Sequence, residues 1–289
     1  MISVRTDLAL ERHSRLQDLS PSLPGLDVTC RTDGDLEITE ISITSPEAAH
    51  ALGKPEGTYI TLDHKGRWQQ EEEHILDIAH GLARCLRPLL PPEGSILVVG
   101  LGNRMVTADA LGPAALDKLI VTRHLQQNFP GLFDNFRTVT AIAPGVMGRT
   151  GMEPLELIAG IVDRLHPSAV IAIDALAAAS LDRLGSSFQI STTGIIPGEG
   201  ARSKRSALNR ETLGVPVFSI GVPTVTDAFT LAHDLLRVDR PPQLLKEGFL
   251  VTPGDIDLLI QKAAKAVGYG IDLALQGDLS ISDIEALLA

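Results

Sequence analysis

Cysteine is scarce in this chain of 289 residues: Cys30 and Cys85 are the only two, far apart and without CxxC spacing. That spacing supports neither a disulfide framework nor a thiolate zinc site, and it fits reduced thiols in a cytoplasmic setting. Basic residues are also few, 25 Lys and Arg against 36 Asp and Glu, for a formal net charge of −11. Phosphate backbones demand clustered Lys and Arg, so direct nucleic-acid binding is disfavoured. No HExxH helix pair occurs, and the spacing of His74 and His80 puts them on different helix faces, each in a solvated or core role.

Long apolar runs are missing as well. Arg5, Asp7, Glu11 and Arg12 leave no apolar core at the N-terminus, which excludes a secretory signal. The longest uncharged stretch of the C-terminal half, residues 212–226, is broken by Gly214, Pro216, Gly221 and Pro223 and is too short to cross a membrane as a helix. The 26 glycines and 18 prolines are scattered rather than gathered into a low-complexity block, and 44% hydrophobic residues suffice for one sizeable core. The expectation is a single domain over residues 1–289.

What is present is a strand and helix alternation. Residues 28–44 are β-like, with Leu36 and Ile38 of one parity and Ile41 and Ile43 of the other, a shift that a bulge would reconcile. A strand at 59–62 and an amphipathic helix at 69–86 follow. From Ser95 onward, short apolar runs at 96–99, 138–143, 170–173, 188–191 and 217–220 alternate with helical patterns at 110–129, 154–165, 175–184 and 227–236. This predicts an α/β fold: a layered, mostly parallel sheet flanked by helices, with an N-terminal α+β elaboration. Residues 253–276 read as one long helix, and Ser282 with Glu285 has capping-box spacing for a last short one.

Two acids stand at strand ends, where open parallel sheets build their sites. In Val98-Val-Gly-Leu-Gly-Asn-Arg-Met-Val-Thr-Ala-Asp-Ala-Leu-Gly-Pro113 a buried strand breaks into a glycine turn that carries Asp109. Gly100-Leu-Gly102 resembles the opening of a dinucleotide fingerprint, but Met105 occupies the place of the third glycine and no ribose-binding acid follows. In Ala169-Val-Ile-Ala-Ile-Asp-Ala-Leu-Ala177 the strand ends on Asp174. Ordinary readings exist: Asp109 as a first-turn helix acid, Asp174 as the N-cap of a helix starting at Ala175. Both would bury charge beside glycines and apolar strand ends, which is costly. If the carboxylates meet, repulsion and desolvation make them share one proton, giving an acid and a base in one site. Asp227 is a third acid at a strand-to-helix junction, and residues 194–213 form the one long irregular stretch.

A resemblance rests on residues 100–112, Ala141-Ile-Ala-Pro-Gly-Val-Met-Gly148, Ala172-Ile-Asp-Ala-Leu-Ala177 and Ile220-Gly-Val-Pro-Thr-Val-Thr-Asp-Ala228, with Val4-Arg-Thr-Asp-Leu-Ala-Leu-Glu11 and Leu250-Val-Thr-Pro253 near the ends. In this order they resemble the germination proteases of spore-forming bacteria, whose fold is similar to that of hydrogenase-maturation endopeptidases. The resemblance implies an endopeptidase that initiates degradation of small acid-soluble spore proteins, cutting after Glu or Asp before a large apolar residue and Ala. It implies two catalytic aspartates matching Asp109 and Asp174, no cofactor or metal, a self-processing zymogen, a homotetramer, and a place in the cytoplasm of the forespore and spore core. Asp227 and His124 also match and are candidates for the cleft.

The run Thr6-Asp7-Leu8-Ala9-Leu10-Glu11 looks like such a cut site, so self-cleavage between Asp7 and Leu8 would release residues 1–7 as a propeptide. Its ordinary reading is an N-terminal element capped by Asp7. A substrate acid calls for a cation, with Arg202, Lys204 and Arg205 of the irregular stretch and Arg104 and Arg123 near the first aspartate as candidates. The chain departs from the family at Arg104 and Met105 (usually Trp and Asn), at Ala108 (Pro), and at Thr192 and Ile196 (Asp and His), and it is shorter between Leu236 and Leu250. A metal-dependent maturation-type endopeptidase and a non-catalytic binding module for spore proteins are the alternatives.

Overall fold

A computed structural model describes residues 6–17, 23–64, 68–197, 206–236 and 249–289. Its strands are β1 (Leu26–Asp33), β2 (Leu36–Ile43), β3 (Gly57–His64), β4 (Ile96–Gly100), β5 (Val139–Ile142), β6 (Ala169–Ala178), β7 (Ser187–Ser191), β8 (Val217–Asp227) and β9 (Leu250–Val251). They form one sheet in the order β1-β2-β3-β7-β8-β6-β4-β5, with β9 beside β8. The α/β class is the expected one, and the sheet is mixed. β5, β4, β6 and β8 run parallel, and β1, β2, β3, β7 and β9 attach antiparallel.

Both faces of the parallel part are covered, as such strands require. Val98, Ile171, Ile173 and Ile220 pack toward helices Glu72–Leu86 and Ile256–Leu275. On the other face Leu97, Val99, Val170 and Ala172 meet Ile158 and Val162 of helix Pro154–Leu165. That helix begins on a capping box between Glu153 and Glu156 with Pro154 in its first turn, a start legible in the residue types.

Several sequence expectations are corrected. The bulge expected in residues 28–44 is absent: β2 pairs with β1 and β3 in unbroken register. The parity shift instead reflects two cores on opposite faces of one strand. Leu36 and Ile38 face the two long helices, whereas Ile41 and Ile43 face helices Ala9–Gln17 and Pro46–Leu52. β7 is antiparallel to β8, because residues 179–186 hold only a short 3₁₀ turn and cannot make the crossover that a parallel return needs.

The helix expected at 175–184 does not form. β6 runs on through Ala178, paired with β8 out to Ala178 and Thr226, and this ladder overrides the helical preference of alanine. The helical stretch expected at 110–129 divides into Leu111–Leu116 and Arg123–Asn128, and the last capping box is Ser280 with Asp283 rather than Ser282 with Glu285. Among the described residues no helix is long and apolar enough to cross a membrane.

One buried acid holds the break between those two short helices. Asp272, on helix Ile256–Leu275, is fully buried, and both its carboxylate oxygens accept from the Ile120 amide at 3.1 Å. Burial pushes its carboxyl up to about 8, from an ordinary 3.8. The folded protein therefore holds a proton there that the unfolded chain releases, and the contribution to stability is full below 3.8 and declines as pH rises through 8. Asp272→Asn keeps an acceptor oxygen without the ionisation. Urea unfolding from pH 4 to 8 is expected to show wild-type stability falling by up to about 1.4 kcal/mol per pH unit relative to the variant. Parallel curves would refute a protonated Asp272.

Candidate active site

The turn that carries Asp109 is built from glycines. β4 ends at Gly100, and the Leu101 amide donates to the Ile173 carbonyl at 2.8 Å, anchoring the chain to β6 before it leaves the sheet. Gly102 then adopts φ +108°, and a Cβ there would overlap the Asp109 carbonyl oxygen. The Asn103 amide donates both to that carbonyl at 2.9 Å and to Asp109 Oδ2 at 2.8 Å, closing the loop. A side chain at Gly112 would collide with the main chain of Leu101 and Ile173, so glycine lets helix Leu111–Leu116 rest on the strand ends.

Asp109 therefore lies in the 3₁₀ turn Thr107–Asp109 that precedes the helix. Where relatives are expected to fix this turn with proline, the fully buried Thr224 of β8 donates from Oγ1 to the Ala108 carbonyl at 2.6 Å. The turn is thus pinned to the sheet from the side.

Asp174 is not a helix cap. It lies inside β6 opposite Gly221 of β8, is 4% exposed, and accepts from the Ala175 amide through Oδ1 at 2.9 Å. Asp109 and Asp174 line one cleft of 330 Å³ with Leu101, Gly102, Val106, Leu176, Thr224 and Thr252. Its walls are largely apolar, so charges inside are poorly screened and interact more strongly than in water. A second cleft of 190 Å³ also reaches Asp174 and extends past Lys54, Tyr59, Gln189, Thr193 and Asn209.

The N-terminal segment stands between the two clefts. β4 leaves β6 at the pairing of Gly100 with Ile173, so the same edge of β6 is bare beyond that point. Asp7 occupies it: its amide donates to the Ala177 carbonyl at 2.9 Å and its Oδ2 accepts from the Ala177 amide at 2.7 Å. Two residues on, the Glu11 carboxylate accepts from the Ala179 and Ser180 amides, both at 2.8 Å. Leu8 is fully buried among Leu176, Ala178 and Ile195. Gln189 of β7 brackets the following peptides, accepting from the Ala9 amide at 2.8 Å and donating to the Asp7 carbonyl at 3.3 Å. Asp7 lines both clefts.

The other sequence candidates are placed elsewhere. Asp227, 7% exposed, accepts from the Phe229 and Thr230 amides at 3.0 and 3.2 Å at the start of helix Ala228–Leu236. Arg123 and His124 are exposed on helix Arg123–Asn128, and Arg104 forks onto Asp117 at 2.6 and 3.0 Å and onto the Pro113 carbonyl at 2.9 Å. None of these four residues lines either cleft. Arg202, Lys204 and Arg205 lie outside the described residues, as do residues 1–5 of the expected propeptide. Of the two departures at 192 and 196, Thr192 Oγ1 accepts from the Thr58 amide at 2.9 Å and Ile196 lines the second cleft. Sequence reasoning missed Thr224 and Gln189, whose partners are over a hundred positions away, and Lys54, which lines the second cleft.

Comparison with known proteins places the chain among peptidases. The family model described as Germination protease matches residues 4–239. The germination protease of Caldanaerobacter subterraneus subsp. tengcongensis is 38% identical over all of this chain and 99% of its own length. That of Clostridium tetani is 36% identical over 99% of this chain and all of its own, and that of Bacillus cereus (strain G9842) is 46% identical over 81% of this chain and 66% of its own. This chain belongs to the germination protease family. The [NiFe] hydrogenase maturation protease HycI from Thermococcus kodakarensis KOD1 overlays 66% of this chain and 98% of its own at 17% identity and a TM-score of 0.37, too loose a likeness to bear on activity.

The glycine turn can be tested with a matched control. Gly102→Ala combines a left-handed φ with overlap onto the Asp109 carbonyl, whereas Gly131→Ala has φ +88° and open space around it. The control is expected to lose about 1–2 kcal/mol in urea unfolding. Gly102→Ala is expected to lose more, and protease activity with it. Equal losses in the two variants would show that contact with Asp109 does not dictate this glycine.

Proposed function

We propose that this protease is an endopeptidase of the spore that starts degradation of small acid-soluble spore proteins, and that Asp109 and Asp174 carry its chemistry. The observation behind the reading is their meeting in one apolar-walled cleft, where each accepts a main-chain hydrogen bond, Asp109 from the Asn103 amide and Asp174 from the Ala175 amide. One carboxylate takes the proton of a water that attacks the peptide carbonyl. Its protonated partner donates its own proton to the departing amine, so the pair holds one proton before and after the cycle, on the opposite carboxylate.

Among the described residues the cleft linings contain aspartates but no His or Cys, a donor set that does not fit the three-ligand, often histidine-bearing site of a catalytic zinc. No step is routed through a metal there. An extended substrate would lie along the bare edge of β6 beyond β4, adding as a strand. Asp7, the acid of the run Asp7-Leu8-Ala9, already pairs with that edge, and Leu8 after it is buried beside Leu176 and Ala178, which supports self-cleavage between Asp7 and Leu8 with residues 1–7 as propeptide. Recognition of the substrate acid falls to Arg202, Lys204 or Arg205, or to Lys54 on the second cleft. A single folded domain, assembled as a homotetramer in the spore core, completes the proposal on the strength of the family resemblance.

The test is cleavage of a purified small acid-soluble spore protein by the wild type, Asp109→Asn and Asp174→Asn, with and without chelator, with products read by mass spectrometry. Cuts after Glu or Asp are expected in the wild type, with a chain beginning at Leu8. Rates should fall by about 10²–10⁴ in either variant, as for loss of a general acid or base. Activity surviving in either variant would end the aspartate reading. Intact substrate bound without turnover by the wild type would favour the binding module.

A further inference from the structure

We propose that Asp35, His64 and His74 form a binding site for a borderline divalent transition-metal ion of the Zn²⁺ type, separate from the aspartate cleft. The three side chains come from three elements. Gly34, at φ +59°, turns the chain between β1 and β2 and presents Asp35. The β2–β3 register sets Leu36 opposite His64, which brings Asp35 beside the end of β3. His74 lies in the first turn of helix Glu72–Leu86. One ligand atom from each residue lies within 4.8 Å of the others, and the two imidazole rings stand 4.7 Å apart.

The chemistry of this cluster selects the ligand. His64 is 6% exposed, and His74 Nδ1 is buried with no hydrogen-bond partner among the described residues. An imidazole nitrogen hidden from water without a partner is costly, and a metal ion relieves that cost while holding the ring neutral. Two imidazoles and one carboxylate suit zinc and its borderline neighbours, whereas magnesium and calcium prefer oxygen throughout. Tetrahedral zinc holds its nitrogen and oxygen ligands about 3.4 Å apart, which small side-chain rotations reach from the present spacing. Asp35 is exposed, so the fourth position opens to water.

The site is remote from Asp174. The ladders run Asp174, Gly221, Gln189, Thr61 across β6, β8, β7 and β3, and His64 is three residues further along β3. That places it roughly 17 Å away within the sheet. It is also on the opposite face, since His64 shares the parity of Ile60 and Leu62 in the core under the long helices. A metal here staples the β1–β2 turn, the end of β3 and the start of a helix, and takes no part in peptide hydrolysis.

The experiment is titration of the purified, metal-stripped full chain with Zn²⁺ by calorimetry and with Co²⁺ by visible absorption, together with thermal melts. The wild type and Asp109→Asn are expected to bind one ion with a raised melting temperature, and Co²⁺ to give a four- or five-coordinate spectrum. Affinity should fall at least tenfold in His74→Gln and in the surface variant Asp35→Asn, which tests the site even where a buried histidine change disturbs folding. Mg²⁺ should not compete. Absence of stoichiometric binding in the wild type, or binding unchanged in both His74→Gln and Asp35→Asn, would overturn the proposal. Loss of binding in Asp109→Asn alone would move the ion to the aspartate cleft and overturn it equally.

Discussion

The bare edge of β6 imposes the constraint on which the site depends. Beyond Ile173 this strand has lost β4 as a partner, yet it stays extended and buried, so its outward amides must find acceptors or carry the penalty of an unmade hydrogen bond. Three carboxylates meet that need in sequence. Asp174 serves Ala175, Asp7 serves Ala177, and Glu11 serves Ala179. A row of acids is thereby drawn into an apolar region where none would otherwise be stable. The position of Asp174, the docking of the N-terminal helix and the division of the cleft all follow from this one unpaired edge.

Asp109 approaches from the other side of the same gap. It lies on the loop that follows β4 and lines the same cleft, and that loop is held by contacts that tolerate no side chain at Gly102 or Gly112. Thr224 fastens it to β8 and Thr252 in turn donates to the Thr224 carbonyl at 2.8 Å, so β8 and the segment after β9 brace the turn together. The first acid is rigid because glycines let main chains touch. The second is rigid because it is woven into a ladder.

The sequence disclosed the parts of the fold that depend on local pattern. The β-branched runs ending at Val99 and Ile173 and the helix at Pro154 were legible because periodicity and residue type alone specify them, whereas Asp174, read as the end of its strand, lies inside β6. The extension of β6 through Ala175–Leu176–Ala177–Ala178 was not, since four helix-favouring residues became strand only through β8 and through acids some 170 positions earlier. Ile41 and Ile43 misled for a related reason: a strand buried on alternate faces at its two ends mimics a bulge. His64 escaped notice and His74 was weighed only against His80, because sheet register, not helical spacing, brings the two rings together.

The wall between the two clefts has an architectural meaning of its own. Asp7, Asp174, Ala175 and Leu176 belong to both linings, so what divides one hollow from the other is a short length of the chain's own N-terminal segment. Arg12 ties that segment to the far rim, donating to the Thr6 carbonyl at 3.1 Å and the Gly53 carbonyl at 2.8 Å. Lifting those few residues away would fuse the hollows into a single trough along β6, bordered by Lys54 at one end and by Asp109 at the other. The fold carries its own partition, and a groove spanning both hollows would take its dimensions from that segment.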